Sequence, residues 1–247
     1  MSNKKLFGIL GRNIGHSFSP KYFNRKFLKE NINAEFVLFD LQNIELLPEM
    51  VNSKSNLSGL SVTIPYKQEV FKYLQGVSNE AERIGAVNCI KITKDGLIGY
   101  NTDVIGFKNS LLPLIAKKTN LSALILGTGG ASKAVAFVLN ELNIPFKFVS
   151  RTKNDGILTY REINQSSIAH NLLIINTTPL GMFPKTDTSP DIPYQYLTEN
   201  HILFDLIYNP EETRFLKEGK RAGALTKNGL EMLQFQAEAA WKIWQTG

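Results

Sequence analysis

The sequence has a single cysteine, Cys89, in 247 residues. A disulfide within the chain is therefore excluded, and no Cys/His spacing of a metal site is present, so no metal is expected. Cys89 lies in the apolar run AVNCI and reads as a small core residue. No apolar run approaches the roughly 20 residues of a membrane-spanning helix. The opening MSNKKLFGIL is too short in its apolar part for a secretory leader and runs straight into a strand pattern. These absences give the expectation of a cytoplasmic protein without membrane partners. Repeats and low-complexity tracts are lacking, and so is any block of Lys or Arg. The formal net charge is still +6, from 28 basic and 22 acidic residues. The basic residues are scattered and not interleaved with aromatics, which argues against a nucleic-acid partner and fits a modest anionic ligand. With 43% hydrophobic and 20% charged residues, the composition is that of one large or two modest globular domains.

What the chain does have is alternation. Strands are expected over 5–10, 35–40 and 59–64, with helices over 20–31, 43–51, 66–74 and 78–84 between and after them. A hairpin over 87–92 and 97–100 turns at Lys94-Asp95-Gly96. The first hundred residues thus form an α/β layer of their own. A helix over 103–114 leads into a second set. Short apolar runs at 146–149, 172–175 and 201–206 read as parallel strands covered on both faces. Helices are expected around 158–163 and over 211–222, and a short strand near 224. The last helix, 229–245, carries apolar residues at 230, 233, 237, 240, 241 and 244, which is helical spacing.

The stretch LSALILGTGGASKAVAFVL, residues 121–139, reads as a buried strand, a glycine turn and an apolar helix. Glycines in Gly127-Thr128-Gly129-Gly130-Ala131-Ser132 allow a sharp turn and close approach of a diphosphate to the opening N–H groups of the helix. This resembles the first βαβ unit of a dinucleotide-binding fold; an ordinary strand-to-helix connection is the competing reading. Ser132 stands where the strict fingerprint has Gly or Ala. After the next strand the chain continues Ser150-Arg151-Thr152-Lys153. An NAD site would have an acid there for the ribose hydroxyls; Arg, Lys and flanking hydroxyls instead match a 2′-phosphate, hence NADP.

Other polar residues fall at strand ends or helix starts. Ser17 and Ser19 in GHSFSP precede a helix and form either a carboxylate receptor or a simple N-cap, with Ser19 as the capping residue. Lys67 and Thr63 stand at the carboxyl end of SVTIP, where open α/β sheets bind ligands; a solvated lysine is the alternative. Asn88 interrupts an apolar run and needs hydrogen-bond partners, structural or ligand. Asp103 starts a helix, as a cap or as a site residue. Gln236 lies in the apolar stripe of the last helix and bonds either backbone or ligand. NTTPLGM at 176–182 and Tyr208-Asn209-Pro210 follow strands on the same side.

Taken together and in this order, these segments resemble shikimate dehydrogenases. GHSFSP is similar to the family's substrate-carboxylate loop. SVTIPYK is similar to its lysine motif, with Ser61 in place of the usual Asn. GAVNCI carries Cys89 in place of Thr, and SRT carries Ser150 in place of Asn. GYNTD, GTGGAS, NTTPLGM, DLIYNP and NGLEMLQFQA complete the series. KNDGILTYREIN, after SRT, is short and polar where the family often has a clear helix.

The resemblance implies a two-lobed α/β enzyme. An N-terminal substrate-binding domain, 1–102, would be completed by the C-terminal helix, 229–247. A Rossmann-type NADP-binding domain with a parallel sheet would occupy 103–228. Ser17 and Ser19 would hold the shikimate carboxylate with Thr63 and Tyr208, and Lys67, Asn88, Asp103 and Gln236 would contact ring hydroxyls. Gly127, Thr128, Gly129, Gly130 and Ala131 would cradle the diphosphate. Ser150, Arg151 and Thr152 would take the 2′-phosphate, and the backbone of Leu206 and Gly229 would approach the nicotinamide. The implied reaction is reversible reduction of 3-dehydroshikimate by NADPH, with Lys67 exchanging the proton and Asp103 orienting it. The expected partner is this small-molecule substrate, with the protein a monomer or homodimer. Alternatives are a quinate/shikimate dehydrogenase with looser substrate or NAD use, a silent shikimate-binding sensor, and a folate dehydrogenase of similar plan.

Overall fold

The computed structural model describes residues 4–246. The first three residues and Gly247, which fall within the expected domain limits, lie outside that range. The chain divides into two compact units, Met1–Thr102 with Ala237–Gly247, and Asp103–Gln236.

The first unit holds β1 (Lys5–Gly11), α1 (Ser19–Lys29), β2 (Ala34–Asp40), α2 (Leu47–Asn52), β3 (Leu57–Val62), β4 (Gly76–Val77), α3 (Asn79–Ile84), β5 (Cys89–Thr93) and β6 (Gly96–Tyr100). Its sheet runs β2-β1-β3-β5-β6-β4. β1 is parallel to β2 and β3, whereas β5 is antiparallel to β3 and β6. On one side, Phe23 and Phe27 of α1 pack with Phe7 and Phe36 against Trp241 and Trp244. Phe23 stacks on Phe36 with centroids 4.5 Å apart, and the Trp244 indole donates to Ile90 O at 3.0 Å. A side chain on Gly59 would come within 2.4 Å of the Trp244 ring, so this glycine makes room for it. Truncating one such fully buried aromatic typically costs about 3–5 kcal/mol.

The second unit holds α4 (Asp103–Ile115), β7 (Ala123–Leu126), α5 (Gly130–Glu141), β8 (Phe146–Ser150), β9 (Leu158–Thr159), α6 (Gln165–His170), β10 (Leu173–Asn176), β11 (Ile202–Asp205), α7 (Arg214–Arg221) and β12 (Leu225–Lys227). Its sheet is ordered β12-β11-β10-β7-β8-β9 and every pairing is parallel. Counted from β7, this is the doubly wound Rossmann order, with the strand order reversing between β7 and β10. The central strands β7, β10 and β11 are fully buried, and only β10 and β11 carry a polar residue, each at its last position. The final helix α8 (Leu230–Gln245) starts in this unit, and its part from Ala237 onward belongs to the first.

Three segments differ from the sequence expectation. The helix over 66–74 is only a 3-10 turn at Glu69–Tyr73. The Lys67 carbonyl accepts Val87 N at 2.7 Å and is unavailable to a helical ladder. Residues 158–163 form β9 and a 3-10 turn, Tyr160–Glu162, because Glu162 accepts from Thr159 N and Oγ1 at 2.7 and 2.9 Å in a capping box. Helix α7 starts at Arg214, capped by Thr213. Leu230, assigned to the apolar stripe of the last helix, is exposed, and Met232 and Ala239 are buried instead.

Candidate active site

In the first unit, the carboxyl ends of the parallel strands β1 and β3 lie side by side. β1 feeds the loop that carries Ser17 and Ser19, and β3 feeds Thr63 and Lys67. Asp40, at the end of β2, accepts Asn13 N at 2.8 Å and Ile14 N at 3.2 Å and so fixes the start of the serine loop. Ser19 is not the helix cap: α1 begins at Ser19 after Phe18, and no side chain caps it. The residue at that position is already helical, so its hydroxyl is not placed to accept from the next turn. Ser17 Oγ accepts weakly from Ser19 N at 3.4 Å. Ser19 is buried and Ser17 half-buried.

Asn88 belongs to the same end of this sheet. Its carbonyl accepts Val62 N at 2.7 Å. Its side-chain oxygen accepts Thr102 N at 2.6 Å, and its Nδ2 donates to Thr102 Oγ1 at 3.1 Å. The amide thereby pins Thr102, the residue before Asp103, and the structural role foreseen as one option for Asn88 is present. Asn101 adds a bond from Nδ2 to Ala86 O at 2.8 Å. Asp103 is buried and opens α4. Ser17, Ser19, Thr63, Lys67 and Asn88 therefore gather at one end of one sheet. Asp103, Tyr208 and Gln236 belong to the other unit. Gln236 Nε2 donates to Leu233 O at 2.9 Å, a bond within its own helix.

In the second unit, all the strand ends point to one side. The glycine turn follows β7, Ser150–Thr152 follow β8, Asn176–Met182 follow β10, Leu206–Tyr208 follow β11, and Gly229 follows β12. The turn fits a diphosphate. Gly127 has φ +110°, and a Cβ there would approach Thr177 Oγ1 to 2.7 Å. Gly129 is different: its φ and ψ, −80° and −175°, suit any residue, and a Cβ would meet nothing within 4 Å. Glycine there leaves open space in front of the α5 N–H groups. Ser132 is buried and donates to Gly129 O at 2.7 Å, which accounts for a serine at the third fingerprint position.

At the end of β8, where a 2′-phosphate is expected, lies a groove of about 740 Å³ lined by Arg151, Thr152, Lys153, Tyr160, Arg161 and Asp191, among others. The short segment after the SRT motif supplies its second wall. Arg151 and Arg161 form no ion pair with a described residue, whereas Lys153 is bonded to Glu162 and holds that carboxyl down at about 2. Ser150 is buried, and its hydroxyl accepts Thr152 N at 3.0 Å. It shapes the turn that presents Arg151. Gly229 N donates to Ile207 O at 2.9 Å, and a Cβ at Gly229 would come within 2.1 Å of Leu206 O. These two backbones are in close contact, and a side chain at Gly229 would force them apart.

Sequence reasoning missed Asp40 and Asp205. Both are acids closing an apolar strand, and that position was the available signal. Cys89 is buried in β5 and burial pushes its thiol up, which removes it from chemistry at neutral pH. Among the described residues no cluster of His, Cys, Asp or Glu could hold a metal ion. No described helix is long and apolar enough to cross a membrane.

The parallel doubly wound sheet, with its glycine turn at the strand-order reversal and an open arginine at the next strand end, defines a dinucleotide-binding unit joined in one chain to a second α/β unit. A sequence profile described as the shikimate dehydrogenase substrate binding domain matches residues 9–90. The shikimate dehydrogenase (NADP(+)) of Methanococcus maripaludis is 38% identical over 98% of this chain and 92% of its own. Among solved structures, shikimate dehydrogenase from Aquifex aeolicus has a TM-score of 0.89 at 33% identity, covering 99% of this chain and 94% of that one. The Thermus thermophilus enzyme, in complex with NADP(H) and shikimate, has a TM-score of 0.85 at 30% identity, covering 98% and 93%. The chain belongs to the shikimate dehydrogenase family, a family of NADP-dependent oxidoreductases.

Proposed function

We propose that the chain catalyses the reversible reduction of 3-dehydroshikimate to shikimate with NADPH. The observation that carries this reading is the separate gathering of two residue sets, each at one end of its own sheet. Ser17, Ser19, Thr63, Lys67 and Asn88 form the first, and the glycine turn with Arg151 and Thr152 forms the second.

Bound NADPH supplies the hydride that reaches the ring carbonyl carbon. The chain's own residues do the rest. Ser17 and Ser19 hold the substrate carboxylate, with Thr63 and Tyr208 assisting, and Asn88 and Gln236 bond ring hydroxyls. Lys67 Nζ gives a proton to the oxygen as negative charge builds on it, and takes it back in the reverse direction. Asp103 keeps the lysine oriented toward that oxygen. Gly127–Ala131 receive the diphosphate on the α5 N–H groups. Arg151 and Thr152 bind the 2′-phosphate by charge-assisted hydrogen bonds, and the Leu206–Gly229 backbone contact supports the nicotinamide. Positioning the two reactants supplies the remaining rate enhancement. A reducing cytoplasm suits a protein whose lone thiol is buried and unpaired.

The test is Lys67→Ala. Removing a general acid typically costs about 10²- to 10⁴-fold, so kcat falls by that factor while the KM for shikimate changes little. A variant with near-normal kcat would take Lys67 out of this role.

A further inference from the structure

Asp205 ends β11, fully buried, and the mechanism above does not use it. Its Oδ1 accepts Asn176 Nδ2 and Ile207 N, each at 3.0 Å, and its Oδ2 accepts Thr213 Oγ1 at 2.6 Å. No described cation pairs with it. These three donors come from three places: the end of β10, the loop after β11 and the cap of α7. Asn176 extends the network. Its Oδ1 accepts Thr178 N at 3.0 Å and Thr178 Oγ1 at 2.7 Å, and its Nδ2 also reaches Leu180 O at 3.3 Å. Between them, Thr177 donates to Leu126 O at 2.7 Å and its side chain lies against Gly127. On the other branch, Ile207 O accepts Gly229 N.

One buried carboxylate thus ties the carboxyl-end loops of β11 and β10 to each other. Those loops in turn bear on the glycine turn of β7 and on Gly229. The tie sits beside the strand-order reversal between β7 and β10, where an open α/β sheet binds its ligand. Helix and strand packing alone would leave these loops without a fixed relation, because each is irregular backbone.

We propose that Asp205 is a positioning residue that fixes the β10 and β11 loops as one wall of the cofactor crevice. It touches neither substrate nor cofactor and acts through Asn176 and the Leu206–Ile207 backbone. This rests on the reading of the second unit as an NADP site.

The test compares Asp205→Ala, Asp205→Asn and Thr178→Val with the full-length wild-type chain. NADPH affinity is followed by the fluorescence of the nucleotide, and KM values for NADP and shikimate are measured alongside. Asparagine keeps the Oδ1 acceptor for Asn176 and Ile207 and can donate to Thr213 Oγ1. Alanine leaves three buried donors unpaired. The expected result is NADPH binding weakened about tenfold or more in Asp205→Ala, a loss of the size that unpaired buried donors produce. A smaller loss is expected in Thr178→Val, and binding close to wild type in Asp205→Asn. The KM for NADP follows the affinity and rises more than the KM for shikimate, which feels the β11 loop only through Tyr208. If Asp205→Ala does not fold, Thr178→Val and Asp205→Asn still decide. Wild-type NADPH affinity in Thr178→Val, or Asp205→Asn weakened tenfold or more against the wild type, overturns the proposal. A wild-type chain that binds no NADPH overturns the cofactor reading itself, and this role with it.

Discussion

Gly129→Ala separates what the protein needs from what its ligand needs. At a buried glycine the two are confounded, since adding a methyl group damages the fold and the site together, but Gly129 is exposed. At Gly129 the backbone is extended, with φ −80° and ψ −175°, and a Cβ would meet no atom within 4 Å. Nothing in the folded chain opposes alanine. The substitution restricts the unfolded chain, so it stabilises by about 0.4–1 kcal/mol. For a chain of this size, that raises the Tm by roughly 1–4 °C. The same methyl group stands in front of the α5 amides, in the space assigned to the diphosphate. Overpacking of that kind costs about 1–3 kcal/mol, a loss of roughly 5- to 150-fold in affinity. Thermal unfolding without nucleotide, paired with NADPH titration by fluorescence, reads both effects on one preparation. A variant that is destabilised by more than about 1 kcal/mol would show that Gly129 serves the fold. A variant with unchanged NADPH affinity would show that the space is not the diphosphate site.

Two further perturbations address charge. Arg151→Ala removes the open guanidinium at the end of β8, and loss of a charge-assisted bond costs about 1.5–3 kcal/mol. The kcat/KM for NADP therefore falls roughly 10- to 100-fold while that for NAD is little changed, and an equal loss with both cofactors would assign Arg151 elsewhere. Asp205 makes the stability of the second unit pH-dependent: burial pushes its carboxyl up to about 7 from an ordinary 3.8, against the hydrogen bonds of Thr213, Ile207 and Asn176, which lower it. The folded state keeps a proton that the unfolded chain has already released, so this stability is present below about pH 4 and is lost as the pH rises to about 7. At about 1.4 kcal/mol per unit, the change amounts to about 4 kcal/mol. Denaturant unfolding from acid to neutral pH should show this slope in the wild type and not in Asp205→Asn, and identical slopes would refute the assignment.

Much of this was legible in the residues themselves. The glycine turn, the SRT end of the next strand and the short two-sided apolar runs specify a parallel doubly wound sheet, because each is a local signal with a local cause. The hairpin at Lys94-Asp95-Gly96 was readable for the same reason. The misread segments were decided by partners distant in sequence. Tyr66–Leu74 has helical composition, yet Val87 takes the Lys67 carbonyl. Residues 158–163 look helical, yet Leu158 pairs with Val149 on β8. The motifs mark Ser150 and Asn88 as candidate residues, Asn88 as either a structural amide or a ligand contact. Their hydrogen bonds to Thr152 and Thr102 show each also holding the backbone beside a candidate residue, Arg151 and Asp103, which no spacing rule reveals. Asp40 and Asp205 carry no motif of their own beyond an acid at the end of a strand. Their donors come from loops that only the folded sheet brings near.

The most direct measurement is the rate of shikimate oxidation by the purified chain, followed as absorbance of the reduced nicotinamide, with NADP and NAD in parallel and quinate as a second substrate. The account predicts rapid reduction of NADP with shikimate and much slower turnover with NAD or with quinate. Binding of shikimate without any nucleotide reduction, or a preference for NAD, would contradict it.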